Sequence, residues 1–108
     1  MPDPAIIVVT QVPDRAVAAN LARVLLEQRL AACVNIGAPI ESIYHWRGRI
    51  ETAEEIPIAI KTRSVLYSDV EAAILKIHPY DTPEIIAIPV VDGNARYIAW
   101  IADETLAR

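Results

Sequence analysis

Hydrophobic positions open the chain with Ala5-Ile6-Ile7-Val8-Val9-Thr10, a β-branched run that predicts a buried central strand. Pro13-Asp14 stops it and offers Asp14 as a helix cap. From Arg15 to Arg29, Val17, Leu21, Val24 and Leu25 recur at helical spacing while Arg15, Asn20, Arg23 and Glu27 take other faces, the pattern of an amphipathic helix. The stretch from Ala32 to Arg63 predicts two long strands joined by a three-residue turn, Arg47-Gly48-Arg49, with Gly at the left-handed position. Facing Trp46 with Ile50 puts Tyr44 opposite Thr52, Ile40 opposite Ile56 and Ile36 opposite Ile60. One face then collects Val34, Ile36, Ile40, Tyr44, Trp46, Ile50, Ile56, Ile58 and Ile60; the other carries Asn35, Glu41, His45, Glu51, Glu55 and Lys61. A slip by one residue mixes the two faces, so the pattern argues for this register. Pro39 and Pro57 mark bends or edge positions.

Ser68 to His78 predicts a second helix with Val70, Ala73, Ile74 and Ile77 inward and a capping box at Ser68 and Glu71. A proline-punctuated loop, His78 to Pro83, leads to a strand from Glu84 to Val91, and Asp92-Gly93-Asn94 is a turn. Tyr97, Trp100 and Ile101 at i, i+3, i+4 predict a short C-terminal helix. The order describes an α+β chain, a ferredoxin-like βαββαβ domain over residues 1–108 with a long hairpin between the second and third predicted strands, a short C-terminal helix and no repeats or linkers.

Arms of about 14 residues reach roughly 45 Å at 3.3 Å per residue, whereas a compact domain of this size is about 33 Å across. The hairpin should therefore overshoot its own domain, carrying Tyr44, Trp46 and Ile50 outward. An apolar ribbon with open edges invites another chain. These residues, with Trp100, are the expected oligomer interface.

Composition supports that expectation. A hydrophobic content of 54% in 108 residues, with Phe absent, exceeds what one small core hides. A formal net charge of −4 with scattered Lys and Arg excludes the basic stripe of a nucleic-acid binder. The one cysteine, Cys33, excludes an internal disulfide framework and fits a reducing compartment. No run resembles a signal peptide or approaches the roughly 20 apolar residues that span a bilayer. A soluble cytoplasmic protein with no membrane and no nucleic-acid partner is expected.

Five segments stand together: Ala31-Ala32-Cys33-Val34-Asn35-Ile36, Ser42-Ile43-Tyr44-His45-Trp46-Arg47-Gly48, Lys61-Thr62, His78-Pro79-Tyr80-Asp81-Thr82-Pro83-Glu84-Ile85, and Tyr97-Ile98-Ala99-Trp100-Ile101. In this order and spacing they resemble the divalent-cation tolerance family, CutA, over essentially the whole chain. The resemblance implies ferredoxin-like subunits in a homotrimer, tolerance or response to divalent metal ions, and copper binding in some members. Cys33 and His78 match the family's proposed copper ligands, whereas Thr10 and Ile77 stand where further ligands occur in other members. Thiolate and imidazole suit copper, so a weak site for copper or another divalent cation is implied, with no cofactor required.

Each candidate has a plainer role. Cys33 between Ala32 and Val34 reads as a small buried hydrophobe, and His78 as the C-terminal residue of a helix. Glu51, Glu54 and Glu55 read as a solvated face, and His45 as solvent-exposed. No phosphate loop, nucleophile elbow or zinc-spaced cluster is present, so no catalytic residue and no enzyme activity are expected. Two other readings remain: a PII-type small-molecule sensor with inter-subunit clefts lined by Lys61, Arg63, Tyr80 and Glu84, or a purely structural scaffolding oligomer.

Overall fold

The computed structural model describes residues 3–107. Strand β1 spans Ala5–Val12, helix α1 Arg15–Glu27, β2 Cys33–Ile36, β3 Ile40–Trp46, β4 Arg49–Arg63, α2 Tyr67–Ile77, β5 Ile86–Pro89 and α3 Ala95–Asp103; a 3-10 turn, Ser64–Leu66, precedes α2. The antiparallel sheet has the order β2-β4-β1-β5, with β3 continuing along β4. This is the ferredoxin-like βαββαβ arrangement with an added hairpin and C-terminal helix.

Alternation along β1 and β4 sends Ile6, Val8, Thr10, Val12, Ile56, Ile58, Ile60 and Thr62 to one face, all buried. Against them pack Ala18, Leu21 and Leu25 of α1 and Val70, Ala73 and Ile74 of α2. Fully burying each of the larger aliphatic side chains contributes about 1.5–3 kcal/mol relative to exposure. Asp14 caps α1 as its position suggests, accepting from the Val17 amide at 2.9 Å. Helix α1 ends two residues before Arg29, which turns left-handed at φ 56. The Arg29 and Leu30 amides donate back to the Leu26 and Leu25 carbonyls, closing a Schellman motif. The predicted capping box is absent: α2 begins at Tyr67 after the 3-10 turn and has no side-chain cap, and Glu71 instead accepts from the Tyr67 hydroxyl at 2.8 Å. The last strand is shorter than predicted, because Glu84 and Ile85 belong to the proline loop.

The hairpin corrects the sequence reading most. Its first arm is broken at Gly37-Ala38-Pro39 into β2 and β3. Ile36 pairs with Ile58 but Ile40 with Glu55, so the first arm carries one extra residue and its side chains change faces, as at a β-bulge. Pro39 has no amide to give the ladder there. The turn is also one residue shorter than expected. Trp46 pairs with Arg49, not Ile50, across Arg47-Gly48, whose φ values of 51 and 80 make a type I′ turn. Tyr44 consequently faces Glu51 and Ile50 faces His45. Apolar and polar positions are thus mixed on both hairpin faces, with Ile50 on the side away from Tyr44 and Trp46.

Overshoot of the hairpin is present. The molecule measures 45 × 26 × 23 Å, and β4, 15 residues long, runs along its length. From Arg49 to Glu55, β4 pairs with β3 on one edge while β1 begins its pairing only at Ile56.

Candidate functional site

Where α2 stops, Pro79 drives His78 into extended backbone, φ −67 and ψ 129. The His78 ring is buried and both nitrogens are engaged. Nδ1 accepts from the Tyr80 amide at 3.2 Å, so the proton sits on Nε2, which donates to the Gln11 carbonyl at 2.6 Å. That clasp fastens the proline loop to the end of β1 and stacks the His78 ring, tilted, 4.7 Å from the Tyr80 ring.

Tyr80 is carried past β1 to the root of the hairpin, where its phenol lies beside Glu55. Burial first, then the Glu55 hydrogen bond and charge and the nearby Tyr44, push the Tyr80 phenol up to about 12. Between loop and hairpin opens a cleft of about 680 Å³, walled by Gln11, Ser42 to Trp46, Glu55, Tyr80, Asp81, Thr82 and Glu84. Gln11 donates from Nε2 to Glu84 at 3.3 Å. The lining combines aromatic faces with three carboxylates and includes neither Lys nor Arg. Such a surface favours cations and repels phosphates.

Of the cleft residues expected from sequence, Tyr80 and Glu84 meet here, together with Tyr44 and Trp46 of the expected interface. Lys61 and Arg63 do not. Lys61 lies on the sheet face away from α1 and α2, level with Ile7 and Cys33, and donates to Asn35 Oδ1. Arg63 is buried, its guanidinium holding Thr105 Oγ1 at 2.9 Å, the Leu106 carbonyl, and Asp3 Oδ2 at 3.4 Å. It fastens both chain ends to the sheet.

Cys33 is half-buried beside Lys61, with Asn35 Oδ1 3.9 Å from its sulfur. Tyr97 of α3 lies against it, and burial, then the thiol's proximity, raise the Tyr97 phenol. Trp100 stacks on Tyr97 at 5.5 Å and stays 41% exposed. Cys33 is level with Ile7 while His78 bonds to Gln11, further along β1 by about 13 Å at 3.3 Å per residue. The two sites are therefore separate within one subunit. Thr10 faces the helices, opposite Cys33, and its Oγ1 is buried with no hydrogen-bond partner among the described residues. Among the described residues no three His, Cys, Asp or Glu side chains converge on one point. No helix among them is long and apolar enough to cross a membrane.

Sequence reasoning missed Glu55 and Gln11 as cleft residues. The proline loop that brings Tyr80 to Glu55 has no periodic signal from which its path could be read.

Comparison with known proteins agrees with this architecture. The family model of the CutA1 divalent ion tolerance protein matches residues 6–104. The divalent-cation tolerance protein CutA of Thermus thermophilus is 37% identical over 99 residues, 92% of this chain and 96% of that protein. Human protein CutA is 43% identical over 93 residues, 86% of this chain but only 52% of that protein, so the chain spans about half of it. The crystal structure of CutA1 from Oryza sativa superposes with a TM-score of 0.94 at 38% identity, covering 98% of this chain and 97% of that one.

Proposed function

The chain belongs to the CutA1 divalent ion tolerance family, and on that footing we propose that it serves tolerance to divalent metal ions as a cytoplasmic, non-enzymatic homotrimer. The observation that carries the assembly is the unsupported hairpin. Ile43 and Ile50 are 64% and 71% exposed, Tyr44 and Trp46 lie half-open beside the cleft, and the edge of β4 away from β3 has no partner strand from Arg49 to Glu55 among the described residues. Two or more open ribbons of this kind lower their free energy by pairing. Light scattering at micromolar concentration is expected to give three times the 11.9 kDa chain mass, and a monomer would remove this reading.

In this reading the metal is copper or another divalent cation, held weakly through Cys33 and His78. Joint ligation needs groups from neighbouring subunits, and His78 must give up the Tyr80 amide to offer Nδ1. Calorimetry with Cu(I), Cu(II) and Zn(II) should give heats that fall in a Cys33→Ala, His78→Ala variant. Equal heats in both proteins would take these two residues out of the account. The single cysteine agrees with a reducing cytoplasm.

A small-molecule sensor is the second reading, supported by the cleft that joins Tyr80 and Glu84. Its acidic wall points to cationic ligands, not nucleotides, and a thermal-shift screen of both classes separates them.

A further inference from the structure

The cleft holds more negative charge than its own chain answers. Glu55 is 9% exposed and has no ion-pair partner among the described residues; the polar group beside it is the neutral Tyr80 phenol. A carboxylate buried without a cation is costly to keep charged. Asp81 and Glu84 add two more from the proline loop, also without ion-pair partners among the described residues, and the Gln11 amide holds Glu84 in place at 3.3 Å. His45 is the one titratable base on the wall. Arg47 stands over the Trp46 ring, 5.3 Å from its centroid, but outside the wall and bonded to no carboxylate among the described residues.

These carboxylates are spread along the wall, not gathered. Among the described residues no three acidic, His or Cys side chains converge as the coordination sphere of a metal ion requires. In the sheet Gln11 lies across from Pro57, and Glu55 is two residues further along β4 on the same face. The Gln11 and Glu84 end of the cleft is therefore set off from Glu55 by roughly 7 Å of strand at 3.3 Å per residue. A single ion cannot answer both ends, whereas two amino groups joined by a short alkyl chain can. The rings of Tyr44, Trp46 and Tyr80 are partly exposed along the wall. They offer π faces to an ammonium group and apolar surface to the methylenes between. The volume of about 680 Å³ lies in the range of small-molecule sites. We propose that the cleft between the proline loop and the hairpin root binds an aliphatic diamine or polyamine, with one ammonium group at Glu55 among the aromatic rings and a second at Asp81 and Glu84 on the loop. This rests on the small-molecule reading above and deepens it by naming the class of ligand.

The test is calorimetry on the full chain in its own assembly, at low salt and about pH 8, above the range in which imidazoles usually titrate. The probes are putrescine, spermidine, n-butylamine and magnesium chloride. Both polyamines are expected to bind at least about tenfold more tightly than n-butylamine, the worth of one further charged hydrogen bond. Asp81→Asn with Glu84→Gln should abolish that preference and leave the monoamine unaffected. Glu55→Gln, with its fold checked by circular dichroism, should weaken all three amines by about tenfold; if it does not fold, the loop pair decides alone. Glu41→Gln with Glu54→Gln removes the same charge from exposed positions outside the cleft and should change nothing. No heat from either polyamine, equal affinity for putrescine and n-butylamine, or magnesium bound as tightly as putrescine would overturn the proposal. So would an equal loss in the Glu41 and Glu54 variant, which would reduce the effect to the net negative charge of the chain. A thermal shift with other small molecules and none with amines would overturn the ligand class while leaving a sensor in place. No shift with any compound would remove the small-molecule reading as well.

Discussion

The phenol of Tyr80 lies beside the carboxylate of Glu55, bringing the proline loop to the root of the hairpin. Burial and that contact raise the phenol from 10.0 to about 12. The folded state therefore holds this proton more tightly than the unfolded chain, and the contribution is complete below pH 10. Between pH 10 and about 12 the unfolded chain releases the proton first and stability falls. In Tyr80→Phe that alkaline fall should become shallower, leaving the smaller parts due to Tyr67 and Tyr97, whose phenols are also raised. At neutral pH the same variant removes a polar neighbour of Glu55 and should lose about 1 kcal/mol. Urea midpoints across pH 7 to 11.5 read both effects, and parallel curves for the two proteins would contradict the assignment.

Thr10 presents the opposite situation. Its Oγ1 is buried without a partner among the described residues, between Val8 and Val12 on the core face and opposite Ile58. An unbonded hydroxyl in an apolar site is costly, and valine has nearly the same shape. Thr10→Val is expected to raise the urea midpoint, worth about 1 kcal/mol, with an unchanged m-value. A loss of that size would show that the hydroxyl is bonded.

Arg63 was expected at a ligand cleft, and the structure gives it a different task. Buried beneath the C-terminal segment, it holds Thr105, the Leu106 carbonyl and Asp3. Arg63→Met should cost about 3 kcal/mol, toward the low end for breaking a buried ion pair because Asp3 is partly exposed. Amide exchange around Ile101 to Thr105 should accelerate more than exchange in α1. Uniform acceleration would show that the contact is not local to the C-terminal segment.

The elements that sequence reading recovered are those whose periodicity is set by burial. β1, α1, α2 and α3 each present one face to a core or cap, so Val8, Leu21, Val70 and Ile101 announced their positions. The hairpin did not, because every residue from Ile43 to Ile50 is exposed. With no core to penalise a slip, alternation of Ile, Tyr and Trp fitted a three-residue turn as well as the observed two-residue one. Pro39 was legible as a bend or edge position, but whether that bend inserts a residue depends on how Gly37 packs against Pro57, where its amide donates to the Pro57 carbonyl at 2.9 Å. The cleft was half legible: Tyr80 and Glu84 sit in one motif, whereas Glu55 and Gln11 reach it through tertiary packing alone.

That short turn sets the register of every hairpin pair, and it depends on Gly48. Its φ of +80 is costly for any residue with a Cβ, while open space around it means that a side chain would meet no clash. Gly48→Ala therefore isolates backbone strain, about 1–2 kcal/mol. Because β3 pairs with β4 alone, the strain should be felt in the hairpin and not in the helix-covered core. Hydrogen exchange of amides from Ile40 to Trp46 is expected to quicken by roughly tenfold, with protection at Val8 and Ile60 retained. If the core amides quickened equally, the hairpin would be cooperative with the domain and not a separately supported arm, and a neighbouring copy would no longer be needed to explain its order.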